Sequence, residues 1–216
     1  MPMRLSSIGE AALRGREGRR LKAYRDSVGV WTIGDGFTTV RGKPVTKGMT
    51  ITDAECDALF LEQMAGYLAT VERSITMPLA DHQVDALASI CWNIGKAGFA
   101  GSTFVKLINA RSDAASIRDA IMRWRKPAEI ISRREAEADQ FATAYQVALP
   151  RARSVDKKRI AVASQPARPV GPHPATTAPA IVPVRLPPAT GWLARMGAWF
   201  DGVWDSVTPV YLAVRG

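Results

Sequence analysis

Residues 17–39 read EGRRLKAYRDSVGVWTIGDGFTT, and the rest of the chain is organised around them. Two carboxylates, Glu17 and Asp26, are followed by a hydroxyl, Thr32. Gly18, Gly29, Gly34 and Gly36 punctuate the stretch, which suits tight turns and close approach of a ligand to backbone. Leu21, Ala23 and Tyr24 precede Asp26, and Val28, Val30, Trp31 and Ile33 follow it. That pattern predicts a short β-hairpin turning at residues 26–29. Ser7, with Glu10 three residues later, predicts a capped helix start, and Gly18 its stop. The helix then ends on Glu17, and the hairpin brings Asp26 and Thr32 round to face it.

Two carboxyl groups facing each other across a cleft suit hydrolysis of a glycosidic bond. One stays protonated to donate to the leaving oxygen; the other stays ionised to serve a water or the developing cation. Enclosing one more than the other pushes their pKa values apart. On spacing alone, an acidic pair is more often two solvated surface charges.

The full string carries more. EGxxLxAYxDxxGxxTIGxG, residues 17–36, resembles the phage-type lysozymes, the endolysins of glycoside hydrolase family 24, at eleven positions in type and spacing. DALASICWNIGKAGFAGSTFVKLIN (residues 85–109) resembles the family's second characteristic stretch, and ISRREAEADQF (residues 131–141) its third. The resemblance covers roughly residues 7–147. It implies an α+β, mostly α fold, with a small β-hairpin lobe joined by a long helix to a larger helical lobe. It also implies a muramidase, cutting the β-1,4 bond between N-acetylmuramic acid and N-acetylglucosamine in peptidoglycan, in an endolysin acting in host lysis. By motif position Glu17 is the general acid, Asp26 the carboxylate across the scissile bond and Thr32 a holder of the attacking water. Inversion at the anomeric carbon is expected. Trp31, Gly34, Gly36 and Asn93 are the expected substrate-binding residues, Trp31 because an aromatic face suits a pyranose ring. The string also departs from the family's pattern. Where an aromatic is usual between the last two glycines, and a histidine often follows them, this chain has Asp35 and Phe37. The turn setting favours a solvated Asp35; the alternative is a like charge that raises the pKa of its neighbours.

The remaining composition narrows the field. Net charge is +9, of which residues 1–145, with 20 basic and 17 acidic groups, carry +3. The excess gathers in the last third, around Arg151, Arg153, Lys157, Lys158 and Arg159. A basic balance suits an anionic polymer. No aromatic–basic interleaving points to nucleic acid, which is not an expected partner. Cys56 and Cys91 lie inside predicted helices without CxxC spacing and read as buried small hydrophobes. No metal and no cofactor is expected. The start of the chain has no signal-peptide pattern, and no segment approaches the ~20 apolar residues of a membrane span. The expectation is therefore residence in the host cytoplasm, then holin-dependent release to the periplasm and cell wall.

Beyond the hairpin, residues 40–50 read as a loop. Thr52 with Glu55 opens a helix over 53–74, and further helices are predicted over 80–93, 103–110, 113–125 and 132–147, with a compact turn around Phe99. Three regions follow: a lysozyme-like domain at 1–148, a Pro/Ala/Arg-rich flexible linker at 149–190, and an amphipathic aromatic segment at 191–216. The linker holds nine of the 14 prolines and too little apolar surface to offset chain entropy. In the last segment Trp192, Met196, Trp199, Phe200, Val203, Trp204 and Val207 form one helical stripe, whose candidate partners are the lysozyme body, a second protein or a membrane surface.

Two other function classes compete. A lytic transglycosylase cuts the same bond without water and manages with one acid; Asp26 and Thr32 favour hydrolysis. A non-catalytic envelope-binding or membrane-active protein has no need of the intact Glu17–Asp26–Thr32 set.

Overall fold

Helix α1 (Ser7–Glu17) delivers Glu17 to its last turn. The structure, a computed structural model, describes residues 3–26 and 29–161. The cap is Ser6 rather than the expected Ser7: its hydroxyl accepts the Gly9 N–H at 3.0 Å. The reason is tertiary, since the Ser6 N–H and hydroxyl both bond to Asp85 in the helical lobe. Gly18 stops the helix as expected, at φ 73°, with its N–H donating to Arg14 O.

Strands β1 (Arg20–Arg25) and β2 (Trp31–Gly34) form the predicted antiparallel hairpin, with Tyr24 opposite Thr32 and Arg25 opposite Trp31. The stretch expected to be a loop contains a second hairpin, β3 (Thr39–Val40) and β4 (Lys43–Pro44). Its two-residue turn has Arg41 and Gly42 at φ 50° and 74°, the positive values that a strand-matched tight turn requires. Beyond it, Ala23 donates to Met49 O and Ile51 to Leu21 O, so the chain runs back along β1 before α2.

Helix α2 (Asp53–Ser74) keeps the predicted bounds and the Thr52–Glu55 capping box. It is followed by α3 (Asp81–Ile94), α4 (Lys96–Gly101), α5 (Thr103–Asn109), α6 (Ala114–Met122) and, after a 3-10 turn at Ala128–Ile130, α7 (Ile131–Ala142). Three regions differ from expectation, one of them α6, which ends at Met122 rather than residue 125. The turn around Phe99 is helical, because the Phe99 ring is fully buried and anchors α4. Helix α7 stops at Ala142, short of residue 147, because Tyr145 turns back to donate to Asp85 Oδ2 at 2.7 Å.

The core surrounds α3, whose residues from Val84 to Ile94 are all buried, as for a helix packed on every side. Trp92 sits 5.5 Å from Phe60 and 5.0 Å from Tyr67 between ring centroids. Cys56 and Cys91 are buried and unbridged, and burial pushes the Cys56 thiol up to about 11.

One part of this interior is charged. Glu137 of α7 accepts from Ser89 Oγ at 2.5 Å and Arg133 Nε at 3.0 Å, and pairs with Arg134. Arg134 reaches Asn93 Oδ1 and the Trp124 carbonyl. Arg16, at the end of α1, donates to Ser89 Oγ and Gln140 Oε1. Burial pushes the Glu137 carboxyl up, but Arg134, Arg133 and Arg16, with the Ser89 hydroxyl, bring it down to about 2. Buried charges are tolerable only when so fully partnered.

Residues 149–160, which composition places in a flexible linker, instead strap across this network. Arg16 donates to the carbonyls of Ala152 and Arg151 at 3.1 and 3.2 Å, and Arg153 donates to Arg16 O at 3.0 Å. Ala152 is buried against Gly15, where an added Cβ would come within 3.2 Å of its methyl. The rest of the linker and the aromatic segment lie outside the described residues.

Replacing Glu137 by Gln should cost about 3–5 kcal/mol at neutral pH by denaturant unfolding, since it strands buried guanidiniums. The folded pKa lies below the ordinary 4.5, so its stabilisation is present above that pH and lost as pH falls towards about 2. The gap between the two proteins should therefore narrow through that window; a constant gap contradicts the network's role. A chain ending at residue 148 should melt below one ending at residue 161, and equal melting would show the strap to be idle.

Candidate active site

Glu17 ends α1 with its side chain buried. Arg133 Nη1 lies 2.7 Å from Oε1, although this oxygen has no well-aligned hydrogen-bond donor. Burial pushes the Glu17 carboxyl up; the Arg133 charge and contact pull it down; Glu137 and Asp35 push it up again. The balance lies above the ordinary value, so desolvation wins over an adjacent guanidinium. Gly36, at φ 103°, leaves room beside the other oxygen: a Cβ there would sit 4.0 Å from Glu17 Oε2.

The hairpin supplies the other two groups through Val30. Asp26 Oδ1 accepts the Val30 N–H at 2.8 Å, and the Asp26 N–H donates to Val30 O at 3.0 Å. Thr32, buried opposite Tyr24, donates its hydroxyl to Val30 O at 3.2 Å. The Tyr24 phenol is raised by burial, held back by Arg20, and raised further by Glu17, Asp26 and Asp35. Tyr24, on the first strand of the hairpin, thus stands within electrostatic reach of Glu17, Asp26 and Asp35.

The four expected substrate-binding residues divide. Trp31 is half-buried at the hairpin, with the Arg25 guanidinium 4.9 Å from its ring centroid. Gly36 is partly open beside Glu17. Gly34 is buried at φ 65°, and a Cβ there would come within 2.7 Å of the Phe37 ring, so packing accounts for it. Asn93 is fully buried with its oxygen on Arg134, behind the site rather than at its surface.

Asp35 requires a correction: it is not a solvated turn residue but fully buried. Arg14 Nη1 lies 2.9 Å and Arg19 Nη2 3.3 Å from its Oδ2, and the Cys56 thiol donates to the same oxygen at 3.6 Å. Arg14 in the last turn of α1 and Arg19 just beyond its cap compensate the charge, which makes its burial possible. Motif reading also missed Arg133, Arg134 and Glu137. Their spacing along α7 is the available signal, but three- and four-residue ion pairs are ordinary on exposed helix faces.

The phage lysozyme family model matches residues 14–137. The endolysin of Salmonella phage P22 is 40% identical over 144 residues, which are 64% of this chain and 98% of that protein. The SAR-endolysin of Escherichia phage N15 is 42% identical over 112 residues, 51% of this chain and 62% of that protein. Among solved structures, the endolysin from Escherichia coli O157:H7 phage FAHEc1 superposes with a TM-score of 0.62 at 34% identity, covering 64% of this chain and 93% of that one. The match takes in the helix end, the hairpin and the charged face of α7 together, and on it this chain belongs to the phage lysozyme family.

Proposed function

We propose that Glu17 is the proton donor with which this peptidoglycan hydrolase, an endolysin-type muramidase, cuts the β-1,4 bond between N-acetylmuramic acid and N-acetylglucosamine. One observation carries the reading: a buried carboxyl whose affinity for its proton is raised although a guanidinium lies 2.7 Å away. Raised proton affinity favours the protonated form, which can transfer its proton to the leaving oxygen as the bond from the anomeric carbon breaks. The carboxylate left behind is met by Arg133, which limits the cost of a buried negative charge.

Asp26 and Thr32, tied to the same residue of the hairpin, hold the water that attacks the opposite face, and Asp26 takes its proton. Inversion follows. Trp31 and Gly36 contact the glycan, and Asn93 acts through Arg134 by fixing the network behind the acid. Residues 191–216 serve the envelope, aided by the basic stretch before them, and release from the cytoplasm is the work of a holin. Among the described residues no helix is long and apolar enough to cross a membrane.

Product analysis on purified peptidoglycan tests the chemistry. The wild type should yield reducing ends without anhydromuramic ends, and folded Glu17→Gln should lose about 10²–10⁴-fold in turnover. Asp26→Asn and Thr32→Ala should lower kcat far more than they raise KM. A folded Glu17→Gln enzyme keeping a tenth of wild-type turnover contradicts the assignment. For the tail, the chain ending at residue 161 should keep its turnover on soluble fragments and lose action on outer-membrane-stripped cells. Equal loss on both substrates would make the tail part of the catalytic body.

A further inference from the structure

Asp35 stands at a position where the motif departs from its family's usual pattern, and it is fully buried. Its partners come from both sides of Glu17 in the chain. Arg14, three residues before it, and Arg19, two after it, both close on Asp35 Oδ2. The turn they grip includes Gly36, which lies beside Glu17 Oε2. The same arginines reach on to α2: Arg14 to Asp57 at 3.1 Å, and Arg19 to Asp57 at 2.6 Å and Asp53 at 3.0 Å. Arg14 also stacks over the Phe60 ring at 4.0 Å. Helix end, hairpin turn and the start of the linking helix therefore meet on one carboxylate.

We propose that Asp35 is a positioning residue for the proton donor: clamped by Arg14 and Arg19, it holds the 34–36 turn against Glu17 and keeps a fixed negative charge near it. The proposal rests on Glu17 being that donor. Arg133 and Glu137 of α7 and Asp35 of the turn all act on Glu17, which in turn acts on Tyr24 of β1 and Tyr67 of α2. Asp35 faces Arg14, Arg19 and Cys56, with Asp53, Asp57 and Glu10 behind the two arginines.

The charges fix the sign of the test. Asp35→Asn removes a negative charge and leaves Arg14 and Arg19 balanced only by Glu10, Asp53 and Asp57, and both changes favour ionised Glu17. Arg19→Gln does the opposite, leaving the surrounding carboxylates less neutralised. Profiles of kcat/KM against pH on soluble muropeptide fragments, at fixed ionic strength and with melting temperatures alongside, read both. The limb on which activity falls as Glu17 ionises should move to lower pH in Asp35→Asn and to higher pH in Arg19→Gln. In Asp35→Asn kcat at neutral pH should also fall about tenfold or more with little change in KM, the cost of a displaced catalytic group. Limbs that stay put, or move the same way in both variants, overturn the proposal, since a merely structural role lowers melting temperature and leaves the profile in place. If Asp35→Asn does not fold, Arg19→Gln alone decides, an upward move supporting and no move overturning. Glu17→Gln measured in parallel separates the claims: if it stays active the donor reading falls and takes this one with it, whereas an inactive Glu17→Gln with unmoved limbs overturns the Asp35 role alone.

Discussion

One guanidinium is shared by two buried carboxyl groups. Arg133 lies 2.7 Å from Glu17 and 3.0 Å from Glu137, and the proton affinities of the two acids are pushed in opposite directions. Glu137, with Arg134, Arg16 and Ser89 also at hand, is held down to about 2. Glu17, with Arg133 as its main compensating charge, has its proton affinity raised. Unequal environments for neighbouring acids are how one fold keeps one carboxyl protonated and another ionised at the same pH. The ionised partner here is structural, and its negative charge opposes the pull of Arg133 on Glu17.

The architecture serves that arrangement. Helix α3 is buried all round and supplies Ser89 and Asn93 to the network, while α7 supplies Arg133, Arg134 and Glu137. Helix α1 brings Arg16 into it and Glu17 to its edge. Its far end is fixed by Ser6 on Asp85, where Gly9 is required because a Cβ would lie 2.1 Å from the Asp85 carboxyl carbon. The strap then holds the Arg16 backbone and side chain from outside. Glu17 is thus held in place from both ends of α1 and by the strap on the adjoining Arg16, while Arg133, Glu137 and Asp35 act on its proton affinity.

Local signals in the sequence were enough for much of this. Thr52 and Glu55 mark the start of α2, Gly18 marks the end of α1, and glycine spacing with alternating apolar residues marks the β1–β2 hairpin. The same stretch offers Glu17, Asp26 and Thr32 as candidates through its resemblance to the phage-type lysozymes, since their spacing alone does not separate them from solvated surface charges. What was not legible depends on distant partners. Asp35 reads as a turn residue until Arg14 and Arg19 are seen to close on it. Phe99 gives no sign that it will anchor a helix, and Tyr145 none that it will leave one for Asp85. A proline- and arginine-rich composition suggests a tether from residue 149, yet the bonds from Arg16 decide that 149–160 belong to the body.

The chain is a phage lysozyme family member and a peptidoglycan hydrolase, and the feature that sets Glu17 apart is electrostatic: burial raises its proton affinity in spite of Arg133. Carbon-13 NMR of the Glu17 side-chain carboxyl, followed through a pH titration of the intact protein, measures this directly. The structure predicts a midpoint above the ordinary 4.5 of a glutamate, and a further rise when Arg133 is replaced by Gln. A midpoint at or below 4.5 in the wild type would show that the ion pair, not burial, governs the acid, and would contradict the account.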